Sequence, residues 1–317
     1  MDFSITLSWP GGSRSFDANS ELSVLELAVA AGVPVPNSCQ RGDCGQCKAE
    51  LVLSDGIPPT AEKIVYLCMT HSLTPSEYRL KGDPFRAPEL VRAYRAKVRS
   101  IDRITENVVR LVIVTPPNKF MEFCGGQFAR LTVVDGITRD YSIASVDPIS
   151  REITFYIRLL NSGKFSNWLT ERATVGQLLQ MRGPMGCFAL LEQAVGRSWF
   201  VATGTGIVPI YALLCRMDDD HSRLCGQKTL LWGNRTEGDL FLLDELKTVC
   251  AAKDIAFQVI FSQDERHPKA RVTDILVKQD LADSAVYAAG FSQMVCDVHK
   301  LVLDRGLCES RFHADIF

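Results

Sequence analysis

Four cysteines near the amino terminus constrain this chain more than any other feature. They occur as Cys39-Gln-Arg-Gly-Asp-Cys44-Gly-Gln-Cys47, with Cys68 after twenty intervening residues. Three thiolates from one tight loop and a fourth from a separate segment are typical of a [2Fe–2S] cluster. Structural zinc is the alternative, but zinc sites usually arrange their cysteines as two short pairs. The pattern therefore predicts that all four cysteines ligate a [2Fe–2S] cluster.

The composition narrows the classes of protein to which this chain can belong. Its 317 residues are enough for two or three domains. The formal net charge is −2 and the chain has no basic run, which argues against a nucleic-acid partner. Apolar stretches are strand-sized, well below the ~20 residues of a membrane span, and the amino terminus lacks the pattern of a signal peptide. We therefore expect a cytoplasmic protein that contacts no membrane.

The residues around the cysteines predict a small mixed fold. Ser4–Trp9 alternates as a strand, Ser23–Ala31 has the pattern of an amphipathic helix that ends at Gly32, and Lys48–Leu53 is a strand. This order resembles the β-grasp of plant-type ferredoxins. The spacing to the last cysteine is shorter than is usual in that family, so the loop Leu53–Val65 is predicted to be contracted.

A second region, residues 93–190, has the pattern of an antiparallel barrel, with short strands such as Val108–Val114 at close intervals, separated by turns. Within it, Arg139-Asp140-Tyr141-Ser142 resembles the flavin signature of the ferredoxin–NADP reductase superfamily. The resemblance implies that Arg139 grips the flavin pyrophosphate, Tyr141 stacks on the isoalloxazine and Ser142 hydrogen-bonds N5. A guanidinium, a phenol ring and a hydroxyl suit these three roles.

Three further segments of this region match the same superfamily in order. They are expected to contact the flavin or to close the barrel, and they are Tyr156-Ile157-Arg158, Gly163-Lys164-Phe165-Ser166 and the turn Arg182-Gly183-Pro184-Met185-Gly186. The second segment is expected to meet the pyrophosphate at the start of a helix. For Arg158, a solvated strand position is the alternative.

The third region, residues 191–317, alternates short apolar strands with helices, which predicts a parallel α/β sheet. Its first strand leads into Thr203-Gly204-Thr205-Gly206, and Pro209 then opens a helix predicted over Ile210–Met217. This resembles the nucleotide-binding turn of the same superfamily and implies a pyrophosphate at a helix N-terminus. The resemblance also implies contacts to the adenosine ribose from Asn234 and Arg235, and to the nicotinamide from Gly290 and Met294.

The last residue of the chain completes the predicted catalytic set. In the superfamily a C-terminal aromatic covers one face of the flavin, and Phe317 is expected to lie opposite Tyr141, with a frayed terminus as the alternative. Phe317, Tyr141 and Ser142 are then the residues at the reacting centre. The superfamily usually has Cys-Gly where this chain has Ala289-Gly290, a change expected to alter the rate without removing function.

The order of the regions implies a function for the whole multidomain chain. We expect a β-grasp [2Fe–2S] ferredoxin over 1–84, a linker over 85–92, an FAD-binding β-barrel over 93–190 and a nicotinamide-binding α/β domain over 191–317. This order is shared by the reductase components of Rieske-type dioxygenases, of di-iron monooxygenases and of a deoxysugar dehydrase system. It implies that the chain passes electrons from a nicotinamide through FAD and the cluster to a terminal oxygenase or an intermediary ferredoxin.

The donor and the acceptor are predicted less directly. The segment Gly233-Asn-Arg-Thr-Glu-Gly-Asp239 holds one arginine and two acids, which favours NADH, although Arg235 leaves NADPH possible. An aromatic-ring dioxygenase is the expected acceptor, since most relatives with this layout serve such systems. A non-enzymatic electron-channelling subunit is the alternative, against which the intact turn Gly204–Gly206 argues.

Overall fold

The computed structural model describes residues 4–33, 35, 37, 42, 47–52, 64–80, 92–117, 122–186, 188–191 and 193–317. The chain divides into two compact units, residues 1–89 and 90–317. Residues 85–91 of the predicted linker, and residues 53–63 of the loop predicted to be contracted, lie outside the described residues. Arg92, assigned to the linker from the sequence, begins the first strand of the second unit. The other predicted domain boundaries stay predictions.

The amino-terminal unit is a five-stranded sheet with one helix. Its elements are β1 (Ser4–Trp9), β2 (Gly12–Asp17), α1 (Val24–Ala30), β3 (Lys48–Val52), β4 (Ile64–Tyr66) and β5 (Ser76–Arg79). In the sheet order β2-β1-β5-β3-β4, only β1 and β5 are parallel neighbours. Ser23 and Glu26 form a capping box at the start of α1. Gly32 has a φ of 78° just beyond its end. This arrangement confirms the predicted β-grasp.

An antiparallel seven-stranded sheet forms the first part of the second unit. Its strands are β6 (Arg92–Thr105), β7 (Val108–Val114), β8 (Phe128–Thr132), β9 (Thr138–Ser142), β10 (Ser145–Val146), β11 (Glu152–Arg158) and β12 (Leu178–Met185), with helix α2 (Lys164–Asn167) after β11. The sheet order is β10-β11-β7-β6-β12-β8-β9. Along β11, buried residues alternate with outward-facing ones, as a half-buried strand requires. The predicted antiparallel flavin-type sheet is confirmed.

A five-stranded parallel sheet flanked by helices forms the rest of this unit. Its elements are β13 (Arg197–Thr203), α3 (Ile207–Arg216), α4 (Asp219–Leu224), β14 (Gln227–Asn234), α5 (Leu243–Ala252), β15 (Ile255–Phe261), α6 (Val272–Leu276), β16 (Ser284–Gly290), α7 (Ser292–Asp304) and β17 (Phe312–Ile316). The order β15-β14-β13-β16-β17 places the carboxyl ends of all five strands along one edge. This confirms the predicted α/β nicotinamide-type sheet.

Two local predictions differ from the structure. Helix α3 begins at Ile207 rather than at Ile210, because Pro209 fits the first helical turn without needing an N–H partner. The segment Arg182–Gly186, predicted as a turn, belongs to β12 as far as Met185, with an irregular register against β8.

Among the described residues, no helix is long and apolar enough to cross a bilayer.

Candidate functional site

Two of the four predicted cluster ligands are described, and the fold brings their segments together. Cys47 and Cys68 are both buried, and the Leu67 amide donates to the backbone oxygen of Cys47 at 3.0 Å. The Gly42 amide, from the loop between the predicted ligands, donates to Cys68 Sγ at 3.2 Å. A sulfur that accepts a backbone N–H is typical of cluster ligation, so these residues fit a [2Fe–2S] cluster. Cys39 and Cys44 lie outside the described residues.

Strand β9 carries two adjacent charged side chains, of which Asp140 is paired and Arg139 has donors left for a ligand. Asp140 is held by Arg130 of β8 through two hydrogen bonds of 2.8 Å. The exposed Arg139 guanidinium donates only to the backbone oxygen of Thr138, at 2.7 Å, among the described residues. Its remaining donors fit the bidentate contact that a pyrophosphate offers.

The Tyr141 ring is fixed from behind by two buried aromatic side chains. Its centroid lies 5.0 Å from that of Phe165 in an edge-on contact, and Phe165 meets Trp168 in the same way at 5.1 Å. Burial raises the pKa of Tyr141, so the phenol stays protonated at neutral pH. The Phe165 side chain, predicted to contact the flavin, therefore lies in the core and supports Tyr141 from behind.

The predicted pyrophosphate loop is tight and internally bonded. Gly163 caps α2, and a side chain at this position would press on Ser166 Oγ at 3.1 Å. Ser166 Oγ accepts a hydrogen bond of 2.9 Å from the Leu160 amide, which leaves its hydroxyl proton for another acceptor. Lys164 is exposed at the start of the helix. Gly163 and Ser166 therefore keep the backbone close to where an anion would lie.

The three predicted contacts on β11 point in different directions. Ile157 is fully buried in the barrel core, so only its main chain can reach a flavin. Tyr156 faces outward and packs on Phe241, with ring centroids 5.3 Å apart, beside a cavity of about 530 Å³. A side chain at Gly204 would begin 3.5 Å from the Arg158 guanidinium. Arg158 therefore lies against the nucleotide turn.

The turn after β13 has the features of a pyrophosphate site. Gly204 adopts a φ of 51°, and its backbone oxygen accepts from the Trp232 indole at 2.9 Å. A methyl group at Gly206 would collide with the backbone oxygen of Ala289. Thr205 lies between these glycines in a single 3₁₀ turn that leads directly into α3. The backbone can thus approach a ligand at the helix start more closely than any side chain would allow.

Two residues at the strand ends have buried polar side-chain atoms with no hydrogen-bond partner among the described residues. One is Thr203, through Oγ1; the other is Asn234, which is 7% exposed and lacks a partner at both side-chain atoms. Buried polar groups are normally satisfied, so a ligand with donors and acceptors fits here. Both positions were predicted from the sequence to bind the nicotinamide nucleotide. Arg235, beside Asn234, instead forms an ion pair of 3.4 Å with Asp239.

The predicted nicotinamide contacts meet at the end of β16. A side chain at Gly290, whose φ is 141°, would begin 2.6 Å from Thr203 Oγ1 and 3.3 Å from Met294 Cε. The Phe317 amide donates to the Gly290 backbone oxygen at 3.4 Å. Phe317 is 53% exposed, but β17 pairs with β16 up to the residue before it, so the terminus is not frayed. Ala289 is fully buried.

Asp315 is a candidate functional residue that the sequence reasoning missed. It is 3% exposed, its carboxylate accepts from Ser142 Oγ at 3.5 Å, and burial raises its pKa to about 7. A buried carboxyl with a perturbed pKa beside predicted reactive groups is typical of a functional site. The available signal was an acidic residue inside the short apolar segment before Phe317.

Sequence models of three protein families match consecutive parts of the chain. They are the 2Fe-2S iron-sulfur cluster binding domain at residues 9–71, the oxidoreductase FAD-binding domain at 95–190 and the oxidoreductase NAD-binding domain at 200–300. Terephthalate 1,2-dioxygenase reductase component 1 of Comamonas sp is 30% identical, with 93% of this chain and 92% of that protein covered. The chain belongs to the three-domain reductase components of the ferredoxin–NAD(P) reductase superfamily. It is an iron–sulfur flavoprotein oxidoreductase whose domains bind NAD, FAD and a [2Fe–2S] cluster.

Two further comparisons concern a second relative and a solved structure. Methane monooxygenase component C of Methylosinus trichosporium is 32% identical, with 67% of this chain and 66% of that protein covered. The crystal structure of the Amycolatopsis cytochrome P450 reductase GcoB has a TM-score of 0.72 at 24% identity, with 99% of this chain and 98% of that chain covered. The second likeness supports the fold alone. Reductases of this family thus include those named for different terminal systems.

Proposed function

We propose that the protein is a cytoplasmic NADH-dependent reductase that delivers electrons to a partner oxygenase, specifically an aromatic-ring dioxygenase. The observation that carries the proposal is the meeting of the barrel and the α/β sheet at one place. Ser142 of β9 contacts Asp315 of β17, and Phe317 of the same segment contacts Gly290. Residues predicted for the flavin and for the nicotinamide therefore adjoin each other.

The roles of the residues follow from their positions. Arg139 would bind the flavin pyrophosphate, Tyr141 and Phe317 would lie on the two faces of the ring, and Ser142 would donate to N5. Thr203 and Gly290 would hold the nicotinamide carboxamide, and Asn234 the adenosine. The chemistry that bound FAD would supply is the conversion of a two-electron hydride from NADH into single electrons for the cluster. The chain's own part is to orient both rings and to exclude water between them.

Anaerobic mixing with NADH tests the first half of the proposal. We expect bleaching of the flavin and then of the cluster absorbance, with one NADH consumed for each two electrons stored. A protein that carries both groups but is reduced by neither NADH nor NADPH would be an electron-channelling subunit instead.

Reduction of a purified terminal component tests the choice of acceptor. A Rieske-type aromatic-ring dioxygenase should be reduced by NADH when this protein is present in catalytic amounts. The similarity to methane monooxygenase component C favours a monooxygenase as the second candidate. Faster reduction of a monooxygenase hydroxylase than of the dioxygenase under the same conditions would favour that assignment.

A further inference from the structure

A charged network stands at the edge of the parallel sheet, beside the unsatisfied Asn234. It comprises Glu237, from the segment after β14, and Asp264, Arg266 and His267, from the segment after β15. The two segments are joined by backbone hydrogen bonds from Ser262 to Asn234 at 3.0 Å and from Gln263 to Arg235 at 2.9 Å. In open α/β sheets, ligands bind outside the carboxyl ends of the strands. The network therefore lies where an adenosine ribose would bind.

Asp264 holds the arginine of this network. The carboxylate is 4% exposed and accepts from the Arg266 amide, from Nε and from the terminal guanidinium nitrogen, at 2.9, 3.1 and 3.0 Å. It also accepts from the Glu237 amide at 3.0 Å. These contacts, with the Arg266 side chain first, hold the pKa of Asp264 well below its usual range. Asp264 thus stays ionised and fixes Arg266 in one position.

Glu237 completes the neutralisation of Arg266. Its carboxylate lies 2.9 Å from the Arg266 guanidinium on one oxygen and 2.6 Å from His267 Nε2 on the other. His267 is itself stacked on Phe261, with ring centroids 4.5 Å apart. Both Glu237 oxygens therefore already have cationic or N–H partners.

The second arginine of the site is also paired. Arg235, the residue that left NADPH possible from the sequence, lies 3.4 Å from Asp239. The guanidinium groups of Arg235 and Arg266 are thus paired with the carboxylates of Asp239, Glu237 and Asp264. None of these five residues contributes an unpaired positive charge. A 2′-phosphate adds between one and two negative charges, which an unpaired arginine would have to accommodate.

We propose that Glu237 and Asp264 select NADH over NADPH by holding Arg266 in ion pairs, so that this end of the sheet accepts a ribose with a free 2′-hydroxyl. The inference rests on the proposed function for the use of a nicotinamide donor. It adds the residues that decide which donor is used, two of which, Asp264 and Arg266, lie outside the segment that suggested NADH from the sequence. Arg266 is the cation that would bind a 2′-phosphate if it were released.

The test compares kcat/KM for NADH and NADPH, with ferricyanide as acceptor, in the wild type and in Glu237→Gln. We expect a wild-type preference for NADH of about tenfold or more, and a rise of about tenfold in the NADPH/NADH ratio in the variant. Calorimetric titration with 2′-AMP and 5′-AMP gives a readout independent of turnover, and 2′-AMP should bind more tightly to Glu237→Gln than to the wild type. Adding Arg266→Gln to Glu237→Gln should reverse both gains.

Asp283→Asn is the matched control, because Asp283 also pairs with an arginine, Arg311 at 3.2 Å, but beside the amino end of β16. It should leave the donor ratio as in the wild type. Because Glu237 is 42% exposed at its side chain, its variant should fold, whereas Asp264→Asn removes a buried acceptor and serves as a second test only if it folds.

Two results would overturn the inference. One is a wild type that prefers NADPH, which would mean that the ion pairs of Arg235 and Arg266 do not exclude a 2′-phosphate. The other is a donor ratio that moves by less than about threefold in Glu237→Gln while NADH is still oxidised. A wild type that oxidises neither donor would instead contradict the proposed function itself.

Discussion

The hydroxyl of Ser142 donates to the carboxylate of Asp315 across 3.5 Å, which joins strand β9 of the barrel to strand β17 of the parallel sheet. The two residues are 173 positions apart in the chain. Ser142 has a single proton to donate, so an ionised Asp315 competes for the proton that the predicted contact to flavin N5 requires. A protonated Asp315 does not compete, because it can itself act as the donor.

We expect Asp315→Asn to remove a pH dependence of activity. Burial raises the pKa of Asp315 to about 7. In the wild type, the ionised Asp315 carboxylate therefore engages the Ser142 hydroxyl as the pH rises through this value. The NADH–ferricyanide rate of the wild type should therefore fall above pH ~7, whereas the Asn side chain, which resembles the protonated acid, should give a flat profile. Identical inflections in both proteins would show that another group is responsible.

The same variant should change the pH dependence of stability. The usual pKa of this carboxyl is 3.8 and its folded value is about 7, so the folded state binds the proton more tightly than the unfolded chain does. The stabilising contribution is fully present below pH ~4 and is lost as the pH rises through about 7. The Tm of the wild type minus that of Asp315→Asn should thus decrease between pH 4 and pH 8. A constant difference in thermal unfolding across that range would contradict the shifted pKa.

Arg139→Ala should weaken the retention of FAD. A charge-assisted hydrogen bond is worth about 1.5–3 kcal/mol, which corresponds to about one to two decades in affinity. Flavin content after gel filtration at low protein concentration measures the loss. Arg130→Ala is the control, since Arg130 carries the same charge on the neighbouring strand but is committed to Asp140. Equal loss of flavin from both variants would show that the effect is one of folding or of net charge.

Cys68→Ser should remove the cluster and leave the flavin chemistry. We expect loss of the visible absorbance of the [2Fe–2S] cluster and of electron delivery to the acceptor protein, with NADH–ferricyanide activity largely retained. The amino-terminal unit is compact by itself, so loss of its cluster should not disturb the second unit. Cys308→Ser, at an exposed cysteine, is the control and should keep both signals. Loss of FAD from Cys68→Ser would contradict this modular interpretation.

The local sequence pattern was sufficient to predict the bounds of elements whose residues face the core. Strands β1 and β7 begin and end where their alternation or their apolar run predicted. Helix α1 lies within the predicted range, because its capping box and its terminal glycine are encoded in adjacent residues. The motifs of the site were likewise predictable, since each combines residue types with a fixed spacing.

Contacts between distant segments were not predictable. Strand β17 contains His313 and Asp315 and has no strong strand pattern of its own, and it forms by pairing with β16. For the same reason the roles of Asp315 and Asp264 appear only when the strand ends are brought together. The sequence placed Arg235 alone beside two acids, and the fold adds Arg266 from the segment after β15.

Gly206→Ala tests whether the nucleotide turn depends on close backbone packing. Gly206 has a φ of −59°, which suits alanine, and at a helix start alanine would otherwise be favoured by up to ~1 kcal/mol. The added methyl group would collide with the backbone oxygen of Ala289, however, and such overpacking typically costs about 1–3 kcal/mol. We therefore expect a net loss of stability, seen as a fall in Tm at ~2–4 °C per kcal/mol for a unit of this size.

Gly238→Ala is the matched control for this substitution. Gly238 lies in the segment after β14, a strand of the same sheet. A methyl group at Gly238 would lie 3.7 Å from its nearest neighbour, Thr236 Oγ1. Its substitution should stay within about 0.5 kcal/mol of the wild type. Because Gly206 separates the start of α3 from the end of β16, its variant should also bind 5′-AMP more weakly by calorimetry. Wild-type stability and 5′-AMP affinity in Gly206→Ala would show that α3 and β16 can move apart without loss, and that the turn is not held by this contact.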